Sequence, residues 1–263
     1  MAIASLDQWV AAAKQALSWI KTASRATVAT GWFSLFDVAG NPGAGVLAGT
    51  STAAGVVPTD ATVGCPLISF STGTGYLSQV EFGSSVACRL KLFDMLFKAG
   101  AYAFNANQAL TGQPSYSSRV AGATDYTNTQ IWVEAVTGFT GNPTITVQYT
   151  NQAGTTGRST GSIALGLAPT LGRMIQLPLQ AGDTGVQTIS NVVCAVATVG
   201  TFNVLVLRPL WSGRVKNFND GDVHGLDKTA MPVIYPDSAL IFAVAADSTS
   251  SGIPEIEFVI ANG

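Results

Sequence analysis

The chain has 263 residues, of which 47% are hydrophobic and only 11% are charged, and it carries 28 glycines. It is long and apolar enough for one large core or two modest ones, and its composition excludes intrinsic disorder, which combines low hydrophobicity with high charge. The formal net charge of −2 gives no field that would gather phosphate groups, so nucleic acid is disfavoured as a partner.

Charge is scarcest in the middle of the chain. Between residues 99 and 170 the only charged side chains are Arg119, Asp125, Glu134 and Arg158. A surface with so little charge is poorly protected against association. We therefore expect a subunit that packs against other subunits.

The first 25 residues carry a helical pattern. Apolar side chains fall three and four residues apart, which predicts an amphipathic helix from Leu6 to Ile20 of about four turns. Ser5 followed by Gln8 is a capping box that would start it, and Asp7 suits the positive end of the helix dipole. The helix either packs on the body of its own subunit or forms an arm that docks on a neighbouring one.

Residues 26–86 form the second predicted segment, which is rich in Gly, Ala and Thr. The stretch from Gly31 to Gly75 contains neither the phosphate-loop motif nor the spacing of a dinucleotide-binding loop. Backbone without bulky side chains can approach another chain closely. We interpret this segment as an extended loop that lies across a partner surface.

The third segment, residues 87–263, is predicted to be a β body with one short helix near residues 88–99. The helix is read from CRLKLFDMLFKAGA, in which Leu90, Phe93, Leu96 and Phe97 would share one face and Gly100 would end it.

After Tyr126 the pattern changes from helical to alternating. Apolar residues alternate in IWVEAV and TITVQYT, with a GNP turn at 141–143 between them. Further strands are predicted at Arg173–Leu179, Thr188–Thr198, Phe202–Leu207, Leu240–Ala245 and Ile256–Ile260. Short strands between turn signals indicate a mainly β fold, an antiparallel sandwich or jelly-roll-like body, in one sandwich or two.

The triplet Asp183-Thr184-Gly185 matches the active-site motif of aspartic proteases. In those enzymes the triplet follows a buried apolar strand and two aspartates share a proton. Here Gln180-Ala181-Gly182 precedes it and no second such triplet exists. We interpret GDTG as a hairpin turn in which Asp183 bonds the backbone and Gly185 takes a positive φ.

His224 in GDVHGLD is the only histidine. It would be either a general base near Asp222 or Asp227, or a loop residue that hydrogen-bonds locally; without a nucleophile motif, the local role is favoured. The same loop could offer Asp220, Asp222 and Asp227 to calcium, but it lacks the ligand spacing of an EF-hand. We therefore assign no catalytic residue, no cofactor and no metal.

The remaining candidate groups are cysteines and aromatic residues. Cys65, Cys88 and Cys194 are odd in number and lack a C-x-x-C spacing, so neither a disulfide framework nor a zinc site is expected. They fit small buried residues of a chain made in a reducing cytosol. Core residues or interface anchors are expected at Trp132, Phe139, Trp211 and Phe218.

Two observations bear on location. Asp7 would interrupt the apolar core of a signal peptide, which argues against secretion by that route. The longest apolar run, Ala239–Ala246, is too short to span a bilayer, so no membrane partner is expected.

Three stretches carry a resemblance to known proteins. The runs YTNQAGTTGRSTGSIAL and GRMIQLPLQAGDTGVQTISNVVCAVATVGTFNVLVLRPL, with RLKLFDMLFKAGAY upstream, are similar to segments of virion proteins of tailed bacteriophages. They lie within Arg89–Leu210, a little under half of the chain, and describe turns and strands rather than a catalytic site.

The resemblance implies a non-enzymatic structural protein of the phage particle, made in the host cytoplasm and located on the head surface. The preferred function is a capsid decoration or cement protein whose partners are the major capsid protein and further copies of itself, as a homo-oligomer such as a trimer. The alternatives are a neck, tail or receptor-binding component and, less favoured, a virion-associated hydrolase.

Overall fold

The computed structural model describes residues 3–166, 170–194 and 198–263. Within these residues the fold is mainly β, with curled antiparallel sheets in a sandwich-like arrangement and few helices, which confirms the predicted fold class. The helical elements are α1 (Leu6–Ala11), a 3-10 helix (Ser117–Arg119) and α2 (Leu226–Thr229). The strands are β1 (Ala13–Lys21), β2 (Trp32–Ser34), β3 (Gly40–Asn41), β4 (Gly75–Ser84), β5 (Cys88–Ala103), β6 (Gln108–Ala109), β7 (Gln130–Ala135), β8 (Thr144–Asn151), β9 (Arg158–Ser159), β10 (Ile163–Ala164), β11 (Arg173–Leu177), β12 (Val186–Val193), β13 (Thr201–Val215), β14 (Asp220–His224), β15 (Val233–Ile234), β16 (Leu240–Ala246) and β17 (Pro254–Asn262).

Contacts within the chain define two compact units. Unit 1 comprises residues 1–46, 59–94 and 210–263, and unit 2 comprises residues 47–58 and 95–209. The boundaries fall inside strands β5 and β13. This division differs from the linear segments 1–25, 26–86 and 87–263 suggested by composition.

Unit 1 contains a six-stranded sheet in the order β14-β4-β17-β1-β3, with β15 also paired to β4. A second layer contains β2, β16 and the first part of β5. Phe242 of β16 joins the two layers, because its ring lies 5.2 Å from that of Trp19 and 5.8 Å from that of Phe258. Along β17 buried apolar residues alternate with exposed glutamates, so one face of the sheet covers the core and the other meets solvent.

Unit 2 is built in the same way around its own core. One layer is the sheet β10-β8-β12-β6, with β9 paired to β8, and the other contains β11, β7 and the first part of β13. Phe104 stacks on Phe202 with ring centroids 4.5 Å apart and meets Phe139 edge-on at 4.7 Å. The β region therefore holds two cores.

Seven of the seventeen strands among the described residues were predicted from the sequence pattern. All seven segments proposed as strands overlap an observed strand, although residues 195–197 of one of them lie outside the described residues. The turn at 141–143 is present, with Gly141 at a φ of +77°. It joins β7 and β8, which belong to different sheets.

The predicted helix from Leu6 to Ile20 is wrong in its second half. The Ser5 hydroxyl accepts the Gln8 N–H, and the Gln8 side chain accepts the Ala4 N–H at 2.6 Å, so the helix starts as expected. It ends at Ala11, and β1 follows. Eight residues of β1 pair with β17. The helical preference of these residues is weak, and the pairing with a distant strand overrides it.

The predicted helix near residues 88–99 is also wrong, because this stretch lies in β5. Leu90 and Leu92 are buried while Arg89 is exposed, which is the two-residue period of a strand. From Leu92 to Ala99 every residue is buried, so both faces of the strand are covered. A strand buried on both faces has no alternation and can be mistaken for a helix.

The glycine-rich segment packs largely against its own chain and is not an open loop as predicted. A side-chain carbon at Gly45 would lie 2.3 Å from the Phe36 ring, and one at Gly55 would lie 2.1 Å from the Phe97 ring. At Gly49 it would meet the backbone of Gly100 at 2.7 Å. These glycines are required because backbone passes close to internal rings and strands.

Candidate interaction surfaces

Asp183 lies in a turn and is held by three side chains. Its carboxylate accepts hydrogen bonds from the Tyr149 hydroxyl at 2.7 Å, the Asn151 amide at 2.7 Å and Arg158 Nε at 2.9 Å. The Asp183 side chain is only 2% exposed. Chiefly because of the bond from Arg158, its pKa falls to about 2. A carboxylate kept ionised and occupied in this way holds a loop in place and does not share a proton.

The interpretation of GDTG as a turn is confirmed, but the roles within it were assigned wrongly. Asp183 binds side chains rather than backbone, and the glycine with positive φ is Gly182, at +89°. A side-chain carbon at Gly185 would lie 1.8 Å from the Tyr126 carbonyl oxygen, so Gly185 allows a close approach of two chain segments. The turn is not a hairpin, since β11 pairs with β7 and β12 pairs with β8.

His224 bonds locally at the end of β14. Its Nδ1 accepts the Trp211 indole N–H at 3.0 Å, and its Nε2 lies 3.5 Å from Asp222 Oδ2. Asp222 also lies 3.5 Å from Lys228 Nζ, while the Asp220 carboxylate accepts the amide of Asn217 at 3.0 Å. Within residues 3–166, 170–194 and 198–263, no group of three or more His, Cys, Asp or Glu side chains could hold a metal ion.

The cysteines and most of the aromatic candidates belong to the cores. All three thiols are free and buried, and burial raises the pKa of Cys88 and of Cys194 to about 11. Among the candidate anchors, only Phe218 is exposed; Trp132, Phe139 and Trp211 are buried.

No sequence motif predicted a role for Lys21. It is fully buried, and its ammonium donates to the carbonyl oxygens of Val38 and Pro42, each at 3.0 Å. Burial lowers its pKa to about 8. Its two hydrogen bonds, to residues on either side of β3, hold the loop around that strand.

Several charged side chains of unit 2 lie inside it. Arg119 is 1% exposed and donates to the carbonyl oxygens of Pro58 and Met95. Glu134 is 2% exposed and accepts the amide of Asn203 at 2.8 Å.

The outer face of β8 and β12 is mostly uncharged and polar. On β8 and β12 the outward side chains form a surface that we call the hydroxyl-amide face, made of Thr146, Gln148, Thr150, Thr188 and Asn191. The hydroxyl of Thr188 donates to that of Thr150 at 3.0 Å, and the Asn191 amide reaches Gln148 Oε1 at 3.3 Å. This face can make many neutral hydrogen bonds to a flat partner.

Helix α1 presents a second surface. None of its residues is buried, and Leu6 and Val10, four residues apart, are each 64% exposed. A six-residue helix gains little stability by itself, so helices of this length rely on packing of an apolar face. Here that face is open to solvent.

The comparisons with known proteins give no family. No family model matches the sequence, and a search of curated proteins finds no match. Among solved structures, the chain is similar to the VP2 subviral particle of infectious bursal disease virus, with 9% identity over 96% of this chain and 80% of that one and a TM-score of 0.20. A structure of the Gt strain of the same virus gives 9% identity over 95% and 81%, with a TM-score of 0.19. In the part of the chain that the structure describes, no helix has the length and apolar character needed to cross a membrane.

Proposed function

We propose that this chain is a non-enzymatic structural protein of a tailed-phage particle, and that it acts on the head surface as a decoration or cement protein. The observation that carries the proposal is the hydroxyl-amide face of unit 2, an ordered sheet surface of Thr, Gln and Asn on two strands, β8 and β12, that contain no charged residue. Monomeric proteins usually carry more surface charge of both signs, which keeps them apart.

Such a surface suits binding by area rather than by a few strong groups. An interface of standard size buries about 1,600 Å² in total and contains about ten hydrogen bonds. Neutral hydroxyl and amide groups are cheaper to remove from water than charges, so they can pair across a broad contact at low cost. The partners we propose are the major capsid protein and further copies of this chain, as a homo-oligomer such as a trimer.

Two further points support the proposal. Asp183 and His224, the residues that most resembled catalytic groups, are engaged in bonds that hold a turn and a strand end. The phage assignment is supported by the sequence resemblance within Arg89–Leu210.

Copy number in purified particles tests this function. We expect quantitative mass spectrometry against the major capsid protein to give a ratio near a simple fraction of the capsid subunits, because a cement protein occupies repeated sites on the shell. About a dozen copies would instead indicate a neck or tail component. Absence from the particle would reject the structural role altogether.

The exposed apolar residues of α1, Leu6 and Val10, lead to a second expected result. The double substitution Leu6→Ser and Val10→Ser should leave the free energy of unfolding within about 0.5 kcal/mol of the wild type, because neither side chain is buried. Binding to shells that lack this protein should weaken at least about tenfold if α1 is a docking arm, since two apolar anchors are lost.

Chemical denaturation and co-sedimentation with such shells measure the two quantities. Ala11→Ser, at the exposed last position of the helix, is the matched control and should change neither. Unchanged shell binding by the double variant would remove α1 from the interface.

A further inference from the structure

The outer face of the unit 1 sheet contains a groove of about 750 Å³. Its floor includes Gly83 of β4 and Gly221 of β14, which lie directly opposite each other in the strand register. Two facing glycines leave the sheet without side chains at this point. Ile20, Val223 and Ile253 contribute apolar walls.

The groove is strongly acidic. Glu81 and Glu257 are directly opposite each other on β4 and β17, and Glu255 follows two residues along. All three are exposed, and none takes part in the salt bridges formed by the described residues. Like charges directly opposite on neighbouring strands are destabilising, so this arrangement costs stability when the groove is empty.

A cationic cluster lies elsewhere on the same unit. Trp32 of β2 has the Arg89 guanidinium 5.8 Å and the Lys91 ammonium 4.8 Å from its ring centroid. Arg89 is exposed, while Lys91 and Trp32 are partly exposed. Burial, and to a lesser extent the charge of Arg89, lower the pKa of Lys91.

We propose that the acidic groove of one copy receives the Trp32, Arg89 and Lys91 cluster of a second copy. The proposal rests on the proposed function, which includes association of this chain with further copies of itself. Opposite charges favour this occupant, and the groove floor without side chains at Gly83 and Gly221 leaves room for a flat ring. Charge complementarity of this kind fixes the register of a contact and excludes wrong partners.

The contact has a definite symmetry. Groove and cluster are different surfaces, so the interface is heterologous, and repeated contacts give a closed ring or an open row of subunits. The proposed trimer is one ring of this type.

Charge exchange tests the contact in the full chain. One variant carries Glu81→Lys and Glu257→Lys, and the other carries Arg89→Glu and Lys91→Glu. By sedimentation velocity at low salt, each alone should associate at least about tenfold more weakly than the wild type, because like charges then meet. An equimolar mixture should recover association, since each variant supplies the surface that the other now needs.

Circular dichroism and unfolding midpoints verify that the variants fold. If the Arg89→Glu and Lys91→Glu variant does not fold, Arg89→Gln with Lys91→Gln replaces it. Lys216→Glu, an exposed basic residue outside the cluster, is the matched control and should not change association. A monomeric wild type, or a mixture that fails to associate, would overturn the proposal. So would a groove variant that loses only shell binding, which would assign the groove to a different protein. None of these results depends on the copy number that tests the function.

Discussion

Replacing Asn203 by leucine is expected to lower the free energy of unfolding by about 3–5 kcal/mol. Asn203 is fully buried on β13, and its amide donates to Glu134 Oε2 at 2.8 Å and to the Leu47 carbonyl at 2.7 Å. Its side-chain oxygen accepts the Gly49 N–H at 2.8 Å. Leucine would leave a buried carboxylate, a carbonyl and an N–H without these partners, and buried polar groups without partners are costly.

Denaturant unfolding measures this loss, and Asn191→Leu provides a matched control. Asn191 is partly exposed on the hydroxyl-amide face, so the same substitution there should cost less than about 1 kcal/mol. Asn203→Asp separates charge from size, because it places a second carboxylate beside Glu134. Its cost should therefore include a like-charge repulsion that the leucine variant does not have. Equal costs at positions 203 and 191 would contradict the role given to the network.

Replacing Asp183 by alanine is expected to cost about 2–3 kcal/mol at pH 7. The Tyr149 hydroxyl, the Asn151 amide and the Arg158 guanidinium would all lose their common acceptor. Tyr149 also accepts the Gln180 N–H at 2.8 Å, so this one carboxylate organises both the turn and the strand beside it.

The same network predicts a pH dependence with a definite sign. The pKa of Asp183 is lowered from the ordinary 3.8 to about 2, first by the hydrogen bond from Arg158. A lowered pKa in the folded state stabilises the fold above the ordinary pKa, and this contribution is lost as the pH falls towards the folded value. The difference in unfolding free energy between wild type and Asp183→Ala should therefore narrow between about pH 4 and pH 2.

Urea unfolding at a series of pH values checks this window. Asp227→Ala removes an exposed carboxylate and should give a small difference at every pH. A constant difference between wild type and Asp183→Ala from pH 7 to pH 2 would show that the carboxylate is not held in its charged form.

Alternation predicted strands in which apolar and polar residues alternate along the sequence. Ile256 and Ile260 of β17 alternate with exposed glutamates, and Ile145 and Val147 of β8 alternate with exposed or partly exposed residues. The same rule failed from Leu92 to Ala99, where both faces of β5 are buried. It failed again in β1, because pairing with the distant β17 decides the conformation and leaves no local signal.

The surfaces were less predictable than the strands. The low charge between residues 99 and 170 correctly indicated a weakly charged surface, and the turn at Asp183 was recognised from its residue types. The partners of Asp183 come from 25 to 34 residues away, so only the fold brings them together. The groove likewise depends on the register that places Gly83 opposite Gly221, which no local pattern reveals.

The buried cysteines can report how often the core of each unit opens locally. Cys88 lies in the core of unit 1 and Cys194 in the core of unit 2, and both remain protonated at neutral pH. Alkylating reagents attack the thiolate, so labelling waits until the surrounding strands part. The labelling rates of the two residues, followed by peptide mass, therefore compare how often each core opens, and no probe has to be introduced into the chain.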